Sequence, residues 1–324
     1  MTTQQHIWAV VLAAGEGSRL RSLTTDASGR SKPKQYCSLF GGSTLLEDAM
    51  RRAQAIVGRE RLCTIVAEQH AQWWSDALGA LRPDNLITQP RNRGTANGVL
   101  LPLLSILRCD PLARILFLPA DHFVDDEAGL ATAIRTALAE IEDAPADMSL
   151  IGIEADDADP ELGYIVPGAA AGRARRVARF VEKPPRSLAA DLLAQGAVWN
   201  SFIFAATGTT LLDMFRRRMP ETVDSMETAL ARSAPPASDR AALAELYDML
   251  PDADFSREVL ATVVRQLRLV AARPCGWSDL GTPRRIGEVV CRVGPRVGLT
   301  PGPKYQMAAS ASLAVAYLRP QMAV

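Results

Sequence analysis

The sequence predicts an α/β fold with a mixed, mostly parallel central sheet and helices on both faces. Three observations predict it. Apolar, β-branched runs alternate with stretches whose apolar residues recur every three or four positions. The first such run, Ile7–Ala14, breaks at a glycine loop, Gly15-Glu16-Gly17. The polar motifs that could carry chemistry each follow a strand-like run, and ligands of open α/β sheets sit at the carboxyl ends of strands.

In chain order, strands are expected at Ile7–Ala14, Leu62–Ala67, Asn85–Gln89, Ile115–Ala120 and Ser149–Ile153. Helices are expected between them at Leu45–Val57, Ala71–Leu81, Thr95–Arg108 and Glu127–Glu142. Thr44 with Glu47 three residues on has the form of a capping box. Past residue 160 the alternation loosens. Gly163–Val166, Arg175–Val181, Trp199–Ala205 and Leu267–Ala272 read as strands, and Ser187–Gln195, Leu211–Arg218, Thr222–Arg232 and Ala241–Met249 as helices. One unit is expected over residues 1–287, with a first half at about 1–160 and a second at about 161–287. Residues 288–324 are expected to form a tail that is a short helix, at Ala308–Leu318, or partly disordered.

At 324 residues the chain can bury a sizeable core. Lys plus Arg and Asp plus Glu balance at 36 each, so no global field points to nucleic acid or an anionic membrane, and an anion site must be local. Five scattered cysteines without a C-x-x-C pair suit reduced thiols in a cytoplasmic protein. The N-terminal apolar run lacks a basic flank and is too short for a signal peptide or membrane span.

The stretch from Val10 to Gln35 carries the strongest local signal. A buried strand feeding a glycine loop can present backbone N–H groups to phosphate oxygens. Arg19 would add a planar fork and Lys34 a mobile point charge. A dinucleotide fingerprint does not fit, because Leu20 stands at the third glycine position and a basic loop follows instead of a helix. The G-K-[ST] of a Walker loop is absent. Leu116–Ala120 ends in Asp121, placed either to hold a hard cation such as Mg²⁺ or to serve as a turn or cap aspartate. Asp279, beside a turn, is a second isolated acid that could complete the pair. His122 is unlike a zinc ligand, since the three histidines show no H-x-x-H spacing. Gln89–Ala96 follows a strand and opens a helix; it could read a base edge, or be a solvated loop capped by Thr95. Glu182-Lys183 could meet sugar hydroxyls and a phosphate, or be a plain surface pair. Asn200 offers a donor and an acceptor suited to a polyol, and Gly163 permits close backbone approach. No G-x-S-x-G elbow, Ser-His-Asp order or reactive-cysteine context supports covalent catalysis.

Taken together, LAAGEGSRL, KPKQ, QPRNRGTA, PADH, GYI, FVEKP, WNS and WSDLG resemble the sugar-phosphate nucleotidyltransferases, most closely the mannose-1-phosphate guanylyltransferases, over about residues 6 to 287. The resemblance implies a Rossmann-like nucleotidyltransferase fold. It implies in-line attack of a sugar 1-phosphate on the α-phosphorus of a nucleoside triphosphate, giving a nucleotide sugar and pyrophosphate. On that resemblance Leu12, Ala13, Ala14, Gly15, Gly17, Ser18, Gln89, Arg93, Gly94 and Thr95 would bind the nucleotide. Arg19 and Lys34 would be catalytic, neutralising charge on the phosphates. Gly163, Tyr164, Glu182, Lys183 and Asn200 would bind the sugar phosphate, and Asp121 and Asp279 would hold Mg²⁺. GTP and mannose 1-phosphate are the expected substrates, with UTP, dTTP or CTP on another sugar 1-phosphate as the rival and a catalytically silent nucleotide-sugar sensor as the alternative of another class. Neither nucleic acid nor membrane is expected as a partner; a homodimer is left open.

The chain departs from the guanylyltransferase pattern in a loop from Arg19 to Lys34 that is a few residues longer than typical, and at three further points. Ala14-Gly15 replaces Gly-Gly, Gln89-Pro90 replaces Glu-Pro, and Phe202 replaces a glycine after Asn-Ser. Guanine presents two donors on one edge, which a carboxylate meets better than the amide of Gln89 does.

Overall fold

β1 (Ile7–Ala13) and β4 (Arg114–Pro119) show how the core is layered. Successive side chains of a strand point to opposite faces. Val10, Ile115 and Phe117 enter one hydrophobic cluster, while Ala9, Val11, Leu116 and Leu118 enter another on the far side. Because both faces are covered, these strands are apolar apart from Arg114 at the start of β4, instead of alternating with polar residues. The computed structural model describes residues 6–17, 24–25, 29–39, 41–232 and 240–294. Ser18, Arg19 and the helix expected at Ala308–Leu318 lie outside them.

From the N-terminus, β1 is followed by α1 (Leu45–Gln54), β2 (Leu62–Ala67), α2 (Ala71–Leu78), β3 (Leu86–Gln89), α3 (Gly94–Cys109), β4, α4 (Glu127–Asp143) and β5 (Met148–Ile153). The hairpin β6 (Tyr164–Ala171) and β7 (Ala174–Val181) then precedes α5 (Arg186–Ala194) and β8 (Val198–Thr207). Three helices come next, α6 (Gly208–Arg218), α7 (Pro220–Arg232) and α8 (Arg240–Met249), then the short α9 (Phe255–Glu258), β9 (Leu267–Ala271) and α10 (Pro283–Val293). Helices α3, α6 and α7 cover one face of the sheet, and α1, α4 and α5 the other. The capping box is present, with Thr44 Oγ1 accepting from Glu47 N and Glu47 accepting from Thr44 N.

The described strands form one nine-stranded sheet in the order β3-β2-β1-β4-β8-β5-β9-β7-β6, with β8 also paired to β6. The pairings among β1 to β4 are all parallel, and β8 is antiparallel to β4 and to β5. Through β5–β9 parallel and β9–β7 antiparallel, β7 and β8 run against the other seven strands. The sheet is mixed and mostly parallel, as expected. Most element ends fall within two or three residues of the sequence reading. Among the expected elements the largest difference is β6, which continues to Ala171 rather than stopping at Val166, while α9 and α10 were not expected. Pro167 looks like a stop because it lacks an N–H, but the hairpin absorbs it with a register shift between Val166 and Pro167.

A third, smaller cluster ties Cys37, Leu39 and Leu45 to Leu280 and to Ile286, Val289, Val290 and Val293 of α10. The helix runs through residue 287, where the catalytic unit was expected to end, and its apolar side packs to Val293.

Candidate active site

The glycine loop leaves β1 and is shaped by the chain that returns to it. Gln35 Nε2 donates to the carbonyls of Ala13 (2.9 Å) and Gly15 (2.8 Å), and Tyr36 Oη donates to Ala13 O (3.1 Å). Gly17 has φ +60°, and a Cβ there would stand 3.1 Å from Lys34 N. Only glycine takes that angle and that approach together without strain. Gly15 faces open space.

At the end of β4, Ala120 N bonds Leu12 O, and the chain then delivers Asp121 beyond the sheet edge. Phe123 and Ser278 pair as an isolated antiparallel bridge, each N–H donating to the other's carbonyl, which brings Asp279 to the same end of the sheet. Lys34 joins the two acids. Its Nζ lies 2.8 Å from Asp121 Oδ2 and 2.6 Å from the backbone oxygen of Asp279. Asp121 is thus an ion-pair partner, and the cap of α4 is Asp126. Lys34 is itself buried and does not line the cavity.

That cavity, about 330 Å³, opens between the two halves of the sheet. Leu12, Ala14, Gly15, Gly17, Gln89, Gly94 and Thr95 line it on one side, Gly163, Glu182, Lys183 and Asn200 on the other, with Asp121 and Asp279 between. The structure does not bring Ala13, Arg93 or Tyr164 to its wall. The Arg93 guanidinium instead donates to Tyr247 O (2.7 Å) and Asp248 O (2.9 Å), and Tyr164 Oη donates to the carbonyls of Asp157 and Asp159. Thr95 is not the cap of its helix; its hydroxyl accepts from Phe255 N at 2.8 Å. Gly94, at φ +82°, sits so close to the following segment that a Cβ would come within 2.2 Å of Ala253 O.

Gly163 meets the far end of a side chain instead. A Cβ there would stand 2.5 Å from Glu182 Oε2, so the glycine makes room for a side chain rather than for backbone. Burial pushes the Glu182 carboxyl up to about 7, with nearby Asp254 adding to the shift and Lys183 opposing it. Asp254 and Ser256, which face Glu182, are cavity residues that sequence reasoning missed. Their only local signal is an Asp capping the short helix α9, which says nothing of a ligand. Gln35 also lines the cavity; it lies inside the motif KPKQ, but an amide's work shows only once its carbonyl partners are in place. His122 is driven down to about 4 by burial and accepts from Trp277 Nε1, so it is a neutral wall residue.

Three non-glycine residues among those described have positive φ: Lys183 (+46°), Phe202 (+57°) and Leu280 (+49°). The first two line the cavity and the third follows Asp279. Such conformations cost about 1–3 kcal/mol each and collect at functional sites.

The donor set fits a hard cation. Asp279 Oδ1 is buried without a hydrogen-bond partner among the described residues, Arg285 Nε standing 3.5 Å away. The described lining residues include five carboxyl groups (Asp121, Glu161, Glu182, Asp254 and Asp279) and one ammonium, Lys183, while Lys34 and Arg285 pair with Asp121 and Asp279. An anionic ligand entering here needs added positive charge. No group of three or more His, Cys, Asp or Glu is poised around a metal among the described residues, so a cation would take most ligands from substrate and water.

Comparison with known proteins finds a family match and related folds. The family described as Nucleotidyl transferase matches residues 8–293. The alginate biosynthesis protein AlgA of Pseudomonas syringae is 29% identical over 86% of this chain and 57% of its own length. A mannose-1-phosphate guanylyltransferase of Escherichia coli is 30% identical over 88% of this chain and 60% of its own. The chain therefore spans somewhat over half the length of these curated relatives. A crystal structure described as mannose-1-phosphate geranyltransferase from Thermus thermophilus superposes with a TM-score of 0.74 at 31% identity, over 88% of this chain and 79% of that one. UDP-glucose pyrophosphorylase in complex with UDP-glucose shares the fold at 12% identity and a TM-score of 0.53, over 89% of this chain and 98% of that one.

Proposed function

Because the chain belongs to the nucleotidyl transferase family, we propose that it transfers a nucleotidyl group from GTP to mannose 1-phosphate, giving GDP-mannose and pyrophosphate. One observation carries the reading: Lys34 ties Asp121 and Asp279 together between a glycine-loop wall and a wall bearing Glu182, Lys183 and Asn200. The names of the relatives supply the base and sugar.

On this reading the amides around Gly15 and Gly17 receive the triphosphate, joined by Ser18 and by the Arg19 guanidinium. Gln89, Gly94 and Thr95 border the base. Glu182 and Asn200 bond sugar hydroxyls, and Lys183 meets the sugar phosphate. Asp121 and Asp279 would hold Mg²⁺, which supplies counter-charge to the phosphates when bound. Lys34 keeps the two acids in register and sets a fixed positive charge beside them. The acceptor phosphate is itself the nucleophile, so positioning and electrostatics suffice and no side chain forms a covalent bond. Burial holds Cys37 and Cys63 as thiols, pushed up to about 11 and about 12, in keeping with that mechanism.

A second reading concerns the base. Gln89 Oε1 is buried and has no hydrogen-bond partner among the described residues. One amide acceptor matches the single N–H of a uracil or thymine edge at least as well as the two donors of guanine. A pyrophosphate-release assay with each triphosphate against several sugar 1-phosphates separates these readings. Fastest turnover with GTP and mannose 1-phosphate is expected; preference for UTP or dTTP moves the base assignment. Absence of turnover with every pair, alongside tight nucleotide-sugar binding, overturns the enzyme in favour of a sensor.

A further inference from the structure

Phe202 holds a backbone angle that glycine would take freely, on the wall of the cavity. A bulge imposes the angle. Leu150 pairs with Phe204 and Gly152 with Asn200, so Ser201, Phe202 and Ile203 of β8 face the single residue Ile151 of β5. Side chains of neighbours pin this shape. Ser201 Oγ donates to Ile151 O (2.7 Å) and accepts from Ile203 N (3.2 Å), while Asn200 Oδ1 accepts from Phe202 N (3.1 Å). The Phe202 side chain takes no part in making the bulge, yet the bulge aims it.

The ring meets Phe204 and Phe255 edge-on, with centroids 5.9 and 6.0 Å away. Phe255 lies between Asp254 and Ser256, the residues facing Glu182, so Phe202 borders the side of the cavity given to the sugar. Phe204 and Phe255 are fully buried and stack at 5.0 Å. A ring backed by a close-packed core cannot retreat to admit a larger ligand.

We propose that Phe202 is a size filter for the sugar, admitting 1-phosphates of sugars that carry only hydroxyls and excluding those with an acylated amine on the ring. The inference rests on the nucleotidyl-transfer reading above. It is tested on the purified full chain with Phe202→Gly and Phe202→Asn, the second because asparagine also tolerates the left-handed region and guards against a glycine variant that fails to fold. Pyrophosphate release is measured with the triphosphate that the wild type uses fastest, paired with mannose 1-phosphate or with N-acetylglucosamine 1-phosphate. Both variants are expected to shift the ratio of the two kcat/KM values at least about tenfold toward the N-acetylated sugar. KM for the triphosphate is expected to stay within about twofold. An unshifted ratio, or an equal loss on both sugars, overturns the filter, as does a wild type that already takes both equally. A wild type inactive with every pair overturns the underlying reading and the filter with it.

Discussion

The two halves of the sheet deliver polar groups to the same cavity by different means. In β1 to β4 every pairing is parallel, and Gly15, Gln89 and Asp121 follow simply from where a buried strand ends. In β5 to β9 the pairings are mixed and the lining residues come from a bulge, from left-handed backbone at Lys183 and Phe202, and from glycine clearances such as Gly163. The first half positions ligand-facing groups through ladder hydrogen bonds, which are stable and general. The second does so through side-chain packing and left-handed backbone. On the proposed reading, sugar specificity should therefore reside in the second half, and triphosphate binding, with base choice at Gln89, in the first.

The sharpest way to break that division is at its junction. Lys34→Ala removes the ammonium that bridges Asp121 and the Asp279 backbone. Turnover should fall on the order of 10²–10³-fold, as loss of a preorganised charge partner commonly does. Steady-state kinetics checks it; a variant within about threefold of wild type would show that the two acids need no common anchor.

A smaller effect is expected where α3 meets the segment after α8. Gly94→Ala combines φ +82° with a Cβ driven against the Ala253 carbonyl. It should destabilise the protein by more than about 1 kcal/mol, read as a lower denaturant midpoint at unchanged slope. An unchanged midpoint would mean that this seam yields freely.

The smallest effect sharpens the account of strain in the second half. Burial raises the Glu182 carboxyl from its ordinary 4.5 to about 7. Because the native state holds that proton more tightly than the unfolded chain, the stabilising contribution is complete below pH 4.5 and is lost as pH rises through 7. The loss is on the order of 1–3 kcal/mol. Glu182→Gln should flatten the stability profile over that window, as followed by thermal melts. A parallel profile in wild type and variant would place the pH dependence elsewhere.

Residue-level reading of the sequence served the first half better than the second. Leu62–Ala67 is observed with the bounds expected, and the capping box at Thr44 and Glu47 is observed. Both rest on short-range rules of periodicity and hydrogen bonding. Arg93 and Thr95 show the limit. Their motif sits at a strand end as expected, yet the guanidinium caps carbonyls of Tyr247 and Asp248 and the hydroxyl holds Phe255, partners some 150 residues away that no local pattern names. Asp254 and Ser256 went unread for the same reason.

By itself the sequence determined the alternation of strands and helices, the glycine break after β1, and the family to which the motifs in order belong. The first two follow from forces acting over a few residues (side-chain period, turn chemistry and the obligation to pair backbone groups), and the third from the resemblance of the motifs. Only the tertiary structure decided that Lys34 stands between Asp121 and Asp279, that the carbonyls of Tyr247 and Asp248 hold the Arg93 guanidinium, and that Phe202 lines the cavity. Those outcomes depend on which distant surfaces compete for the same space and charge, and that competition is resolved only when the sheet closes and its two halves meet.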